Sequence, residues 1–557
     1  MKKLFLLGFS LPSLFFLLTV KLSSQTVSEK LIVNFSDKEN VAAYAFKYDN
    51  LSGTYLYTPY DTVSKKHSII SNKGNSGDYD YLSYYSPIFD SEGNYYVIVS
   101  NTITDTTFQY FFLKNGQELL SFSYIDDSWI EKNGTIYFRA KKGDVDYLIA
   151  YNTLDGSFNQ SKPYDEIILV YYPEQFFEGE PIGQLGFTKD GKPYYLAELD
   201  EERFLVIDGV EQKHYSDIDQ YNVVVDKQGV LTYFAKGSGK FYEESGNSFV
   251  VQGEKEYKKY DYLYGPLLID KANNPVYIGA DSSDYGFPQR VVIGDKEEKT
   301  YNNAIFNLKL TPSGKAAYIA SNLKPGSIRN REQSSESFLV LGGKEGKKYK
   351  NIGLLHFTAD DEPVMAVSKR KNRFIVVKGK EEKDAEYEYI FDLKVLPDGR
   401  PMYVGINYGN YEKKIKDKYF ANIGDDDFGP YDEMQILNYN TGSYILTDNA
   451  GNYAYIASKI INFESYTITQ TLHTNKGKSS AFNFIDYVNL YKGKVIYAAS
   501  KLTDPEEKTY KYQLYYGTKP LGSEYDSIID YKFNESSGTI TFISLKGKEF
   551  YRVEMKL

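Results

Sequence analysis

Four histidines stand at positions 67, 214, 356 and 473. Imidazole is the commonest metal ligand and the usual base near neutral pH. These four are scattered over separate stretches, without the paired spacing of a zinc site or an H-E-x-x-H helix. Each reads as a surface or turn residue, and no metal ligand set is assigned. Asp425-Asp426-Asp427 is the densest acidic run. It lacks the spacing of a calcium loop and falls where a hairpin is expected, so it reads as a solvated turn. There is no Cys, which removes disulfides, thiolate metal sites and a Cys nucleophile. No G-x-S-x-G elbow and no phosphate-binding loop occurs. A Ser-His-Asp triad can be assembled from distant residues, but four His and no elbow give it little support. No catalytic residue is assigned and no cofactor is expected.

Carboxylates and aromatics are abundant enough to need a filter. Glycosidase chemistry takes two carboxylates, and among 75 acidic residues their presence decides nothing. Ser282-Ser283-Asp284-Tyr285-Gly286 begins like a sialidase Asp-box, but Gln289 stands where an aromatic belongs and no second box follows. The chain has 56 Tyr, 34 Phe and one Trp, at position 129. Tyr and Phe favour half-buried pleated surfaces. Most recur at fixed intervals and therefore read as packing. Tyr171, Tyr172, Phe176 and Phe177 are off that register, in a long insert, and are the candidate binding residues. Exposed rings anchor partners at low entropic cost. A second insert, Lys324 to Ser337 with Arg329 and Arg331, reads as a surface loop.

The elements that must position these groups come from a repeat. An aromatic, two residues and then an apolar residue open each unit, with the aromatic at Tyr79, Phe122, Tyr164, Tyr215, Tyr260, Tyr301, Tyr349, Tyr387, Tyr431, Phe482 and Tyr525. The mean step is about 44 residues. Behind each comes a turn and then an apolar run ending in small residues, as in Pro312-Ser313-Gly314 before Ala317-Tyr318-Ile319-Ala320. Degenerate turns lie at Asn274 and Asp361, and one more is expected near Asn40. A β-branched run and a second turn close the unit, as in Phe204-Leu205-Val206-Ile207-Asp208-Gly209. Such turns are hairpin signals. Each unit reads as four antiparallel strands and no stretch keeps a helical period. The fold class is all-β, with about twelve β-propeller blades.

The Ser/Thr-Pro-Asp/Ser-Gly turns, clearest at Thr311-Pro312-Ser313-Gly314-Lys315 and Leu396-Pro397-Asp398-Gly399-Arg400, resemble the WD40-like propeller repeats of the TolB type. That resemblance implies a propeller in the bacterial envelope. It is strong between about residues 185 and 460 and assigns no activity. Propellers usually hold four to eight blades, so two rings are expected, residues 25–300 and 301–557. Six plus six is the simplest split, with seven plus five or a single ring as alternatives. Thr26 to Leu31 is a candidate to close a ring beside a late strand.

Lys2 and Lys3 precede an apolar run from Leu4 to Val20, then Ser23, Ser24 and Gln25. This is the order of a secretory signal peptide, residues 1–24, and export to the periplasm or beyond follows from it. No later stretch is long enough to span a membrane. A net charge of −10 disfavours nucleic acid as a partner. The expected function is non-enzymatic binding of a protein or glycan of the cell envelope. The alternative is a propeller hydrolase or lyase acting on extracellular glycans or peptides.

Overall fold

The computed structural model describes residues 26–557 except 36–45, 84–86, 127, 178–179, 242, 244, 283–286, 303, 323–335, 371–372, 383–385, 411–414, 439–441, 463–464, 466 and 505–508. Residues 1–24 and the turn expected near Asn40 lie outside them. Among the described residues every regular element is a β-strand. Strands follow one another into antiparallel sheets, one per repeat. Blade 7 is typical: Ile305–Leu310, Ala316–Asn322, Glu336–Leu341 and Lys344–Tyr349, hydrogen-bonded in that order. Blade 1 opens at Phe46, and blades 2 to 12 at Tyr81, Tyr124, Glu166, Asp217, Tyr262, Ile305, Asn351, Tyr389, Glu433, Phe484 and Ser527. The turn that serves blade 1 is Asp49 to Thr54, with Gly53 at φ +77°.

The second strand of each blade is sandwiched between two neighbouring blades, so it needs apolar residues on both faces. Ala316 to Ala320 are all buried for this reason. The small residue that ends the run has a specific neighbour. A Cβ on Gly279 would lie 2.9 Å from the ring of Tyr260, and one on Gly405 would lie 2.5 Å from the ring of Tyr387. These leading tyrosines stitch blades together. Tyr215 pairs through its backbone with Arg203 on the third strand of blade 4. Its hydroxyl donates to Glu256 on the fourth strand of blade 5 (3.1 Å). Tyr164–Glu211, Tyr260–Glu297 and Tyr301–Glu345 repeat the link. In each case a lysine two residues before the tyrosine pairs with the same glutamate.

Among the described residues twelve apolar cores hold the blades together, each drawn from two consecutive blades. The cycle is unbroken. Val276, Ile278 and Val291 of blade 6 pack on Tyr301, Ile305 and Tyr318 of blade 7. Phe46 and Tyr57 of blade 1 pack on Ile543 and Phe550 of blade 12. The ring is closed by Thr26–Asn34, which pairs antiparallel with Glu549–Lys556 as the fourth strand of blade 12, where the sequence places it. The structure is therefore one ring of twelve, and the expected pair of rings meeting near residue 300 is not formed. Blades 6 and 7 present each other the same apolar faces as every other pair, so nothing there ends a ring.

Candidate functional site

The first strand of each blade is the innermost. First strands of neighbouring blades reach each other through single side chains. Asn222 Oδ1 accepts from Leu267 N (3.0 Å), and Asn307 Nδ2 donates to Gly353 O (3.2 Å). Asp392 Oδ2 accepts from Tyr444 N (2.7 Å) and Ile445 N (3.1 Å). Tyr487 OH donates to Ile528 O (3.0 Å). The reach comes from bulges. The ladder slips between Phe306 and Lys309, Phe391 and Lys394, and Asp486 and Asn489, with Asn307, Asp392 and Tyr487 at positive φ. A bulge re-aims side chains from a strand.

Below the bulge lies one register position with an unusual filling. It pairs with the second residue of the second strand: Ile88 with Tyr96, Val224 with Thr232, Leu268 with Val276, Leu446 with Ala454. All four are apolar. In blades 7, 8 and 9 the same position holds Lys309, His356 and Lys394, while blade 1 has Lys47, blade 3 Glu131 and blade 4 Gly186 there. Lys309 Nζ donates to Leu355 O of the next blade (2.8 Å), and burial lowers its pKa. Lys394 Nζ pairs with Asp392 Oδ1 (2.8 Å) and reaches Ser443 Oγ. Burial, with the charges of Lys309 and Lys394, pushes the His356 imidazole down to about 4. His356 is therefore neutral at neutral pH. Asp392 is occupied by Lys394 and two backbone amides, and among the described residues no carboxylate pairs with the His356 imidazole to orient it as a base. The arc suits holding an anion better than moving a proton.

Exposed rings complete the surface. Of the large exposed apolar side chains, Tyr124, Tyr389 and Phe484 open first strands. Tyr60, Val63, Phe287 and Tyr408 lie between second and third strands, and Ile103 and Phe108 flank that turn on the second and third strands of blade 2, on the same face of the ring. Tyr221, Tyr264 and Tyr487 lie further along the inner strands, and Tyr389 is 47% exposed. On blade 9, Tyr389 stacks beside Phe391 (6.2 Å, 24°), and Phe391 meets Tyr444 edge-on (4.8 Å). The opposite face carries the glycine turns and, among the described residues, the exposed aliphatic side chains of Leu51, Leu154 and Val210.

Tyr171, Tyr172, Phe176 and Phe177 lie in the strand Val170–Phe177, which pairs with Glu180–Gln184. This hairpin is inserted in the inner strand of blade 4, between Glu166–Ile168 and Gly186–Phe187. The side chains of the four residues fall outside the described residues, as do most of the Lys324 to Ser337 insert and of the segment at Ser283. The other histidines do structural work. His214 stacks on Phe204 (3.9 Å) and His473 on Tyr455 (4.9 Å), while His67 pairs through its backbone with Tyr79. His214 is exposed in the connection between blades 4 and 5, as expected of a surface residue, whereas His473 on a third strand and His356 on an inner strand differ from the surface or turn positions expected. Asp425, Asp426 and Asp427 are exposed in a third-to-fourth-strand hairpin. Among the described residues no group of three His or acidic side chains could hold a metal ion.

The basic arc was missed from sequence, although a signal exists. Lys309, His356 and Lys394 each stand five residues before the left-handed turn residue, Gly314, Asp361 and Gly399.

No family model matches the chain, and no curated protein matches it. Solved structures resemble it at low identity. A crystal structure of a eukaryotic initiation factor is 10% identical, covering 62% of this chain and 92% of that one, with TM-score 0.32. An oligogalacturonate lyase in complex with manganese is 10% identical over 76% and 96% of the two chains, TM-score 0.24. The Dos1 propeller is 9% identical over 75% and 88%, TM-score 0.24.

Proposed function

We propose that the protein is an exported, non-enzymatic β-propeller that binds a protein or polysaccharide of the cell envelope through its inner strands and the face where those strands begin. The observation that carries this reading is the recurrence of exposed rings there, at Tyr124 of blade 3, Tyr264 and Phe287 of blade 6, Tyr389 and Tyr408 of blade 9 and Phe484 of blade 11. Exposed rings anchor partners at low entropic cost. The hairpin with Tyr171, Tyr172, Phe176 and Phe177 extends from an inner strand, and we include it in the binding surface. Export rests on the Lys2 to Gln25 segment, and the envelope setting on the TolB-type turns at Thr311 and Leu396.

Two Ser-substituted variants test it, one at Tyr264 and Tyr389 and one at Tyr171, Tyr172, Phe176 and Phe177. Both should capture less of a defined envelope protein or polysaccharide while melting as the parent does. Undiminished capture by both places binding elsewhere and refutes the reading.

A further inference from the structure

We propose that Lys309, His356 and Lys394 form an anion subsite for an acidic oligosaccharide lying along the inner strands of blades 7 to 9. This rests on the binding reading above and names the ligand class. Three observations carry it.

The first is the exchange of residue type at one register position. Ile88, Val224, Leu268 and Leu446 hold apolar side chains there. Lys47 of blade 1 and Glu131 of blade 3 are isolated charged residues there, but only blades 7, 8 and 9 place nitrogen bases in three consecutive blades, and one blade on either side, at Leu268 and Leu446, returns to an apolar residue. Packing alone does not ask for this, because the apolar version serves the same interface elsewhere.

The second is the state of Lys309. Among the described residues its ammonium has one hydrogen-bond partner, the carbonyl of Leu355, and no carboxylate. A half-buried cation without a counter-charge costs stability. A bound carboxylate would supply the missing charge, with two N–H donors still available on the ammonium. Among the described residues His356 shows no hydrogen-bond partner, and it lies near the charges of Lys309 and Lys394 as a neutral donor or acceptor.

The third is what lies on the same strand. Tyr389 and Phe391 precede Lys394 on the inner strand of blade 9, and Tyr389 is exposed. Five residues of strand cover about 15 Å. Ring faces at one end and cations at the other suit a short chain that offers C–H faces for stacking and carboxylates for pairing. An acidic sugar offers both. A free inorganic anion would use the cations and leave the rings idle.

Calorimetric titration at low salt tests this with a glucuronic acid hexamer, a glucose hexamer, inorganic phosphate and a poly-glutamate peptide. The acidic hexamer should bind tightest. Lys309→Met should weaken it about tenfold or more, the scale of one charge-assisted hydrogen bond. His356→Gln should weaken it less, and Lys309→Arg should retain most of the affinity. Lys309→Met should melt no lower than the parent, because it removes an uncompensated cation. Glucose hexamer bound as tightly, or acidic hexamer affinity untouched by Lys309→Met, overturns the subsite. So does tighter binding of phosphate or poly-glutamate, or no binding of the acidic hexamer to folded protein. Glucose hexamer bound through Tyr389 but indifferent to Lys309 removes the anion subsite and leaves the binding face standing.

Discussion

Gly399 sits at φ +82° in the turn that joins the first two strands of blade 9, closed by Gly399 N to Leu396 O (2.8 Å). The atom nearest a Cβ there is Lys378 Nζ at 3.6 Å, so space is available and only the backbone angle resists a side chain. Asn tolerates the left-handed region and β-branched residues do not. Gly399→Val should therefore cost about 1–2 kcal/mol, while Gly399→Asn should stay within about 0.5 kcal/mol of the parent. Equal melting of the two variants would mean the turn does not hold that angle. Two other blades already make the exchange: Asn273 and Asp361 occupy the slot at φ +68° and +65°. Both use the side chain so gained. Asn273 donates to Asp226 (2.9 Å), and Asp361 accepts from Ser313 N (2.9 Å), each in the turn of the preceding blade. The turns were legible in sequence because Pro, Asp and Gly have fixed conformational preferences. These latches were not, since a degenerate turn looks like decay until its neighbour is seen. The same holds for Lys309, whose surroundings come from the next blade.

The strand Thr26–Asn34 shows how one element depends on partners 494 to 517 residues away along the chain. Glu29 on that strand accepts from Tyr525 OH (2.7 Å), Ser523 Oγ (2.7 Å) and Lys546 Nζ (2.5 Å). Burial alone would raise its pKa, but the bonds from Lys546, Ser523 and Tyr525 outweigh it and the net direction is down. A carboxyl lowered in the folded state stabilises the fold fully above its unfolded value near 4.5, and that gain is lost as pH falls through the lower folded value. Glu29→Gln should cost about 1 kcal/mol at pH 7. The gap in melting temperature should shrink steadily below pH 4.5. A gap that is the same at pH 7 and pH 3.5 would show that charge at Glu29 does not help close the ring. The closing role of this segment was readable because the last unit, ending near Phe550 to Val553, lacks a strand of its own. The Lys-x-Tyr and Glu link was readable only in part. The tyrosine recurs in register, but its glutamate lies roughly one repeat later, in a variable charged hairpin.

At the scale of the whole molecule, what matters is that the apolar cores run through residue 300 without a break. The repeat, its length and its count could be read from sequence, because each strand position has its own burial demand. The number of rings could not, because a blade's faces are the same whether its neighbour belongs to a ring of six or of twelve. A single ring makes a prediction that two rings do not. Cutting between blades 6 and 7 would expose Val276, Ile278 and Val291 on one piece and Tyr301, Ile305 and Tyr318 on the other. The same cut would separate Thr26–Asn34 from Glu549–Lys556, leaving a long open edge. Residues 26–300 and 301–557 expressed apart should therefore aggregate or melt without cooperativity, and should recover a single transition when co-expressed. A circular permutant supplies the complement. Thr26 is paired with Lys556, so a short linker can join residue 557 to residue 26, with new termini opened at 300 and 301. That chain keeps every inter-blade core and should melt as one unit close to the parent. Sedimentation and calorimetry on the three proteins decide the matter. Piece 301–557 sedimenting alone as a monomer with a sharp melt would establish two independent rings instead.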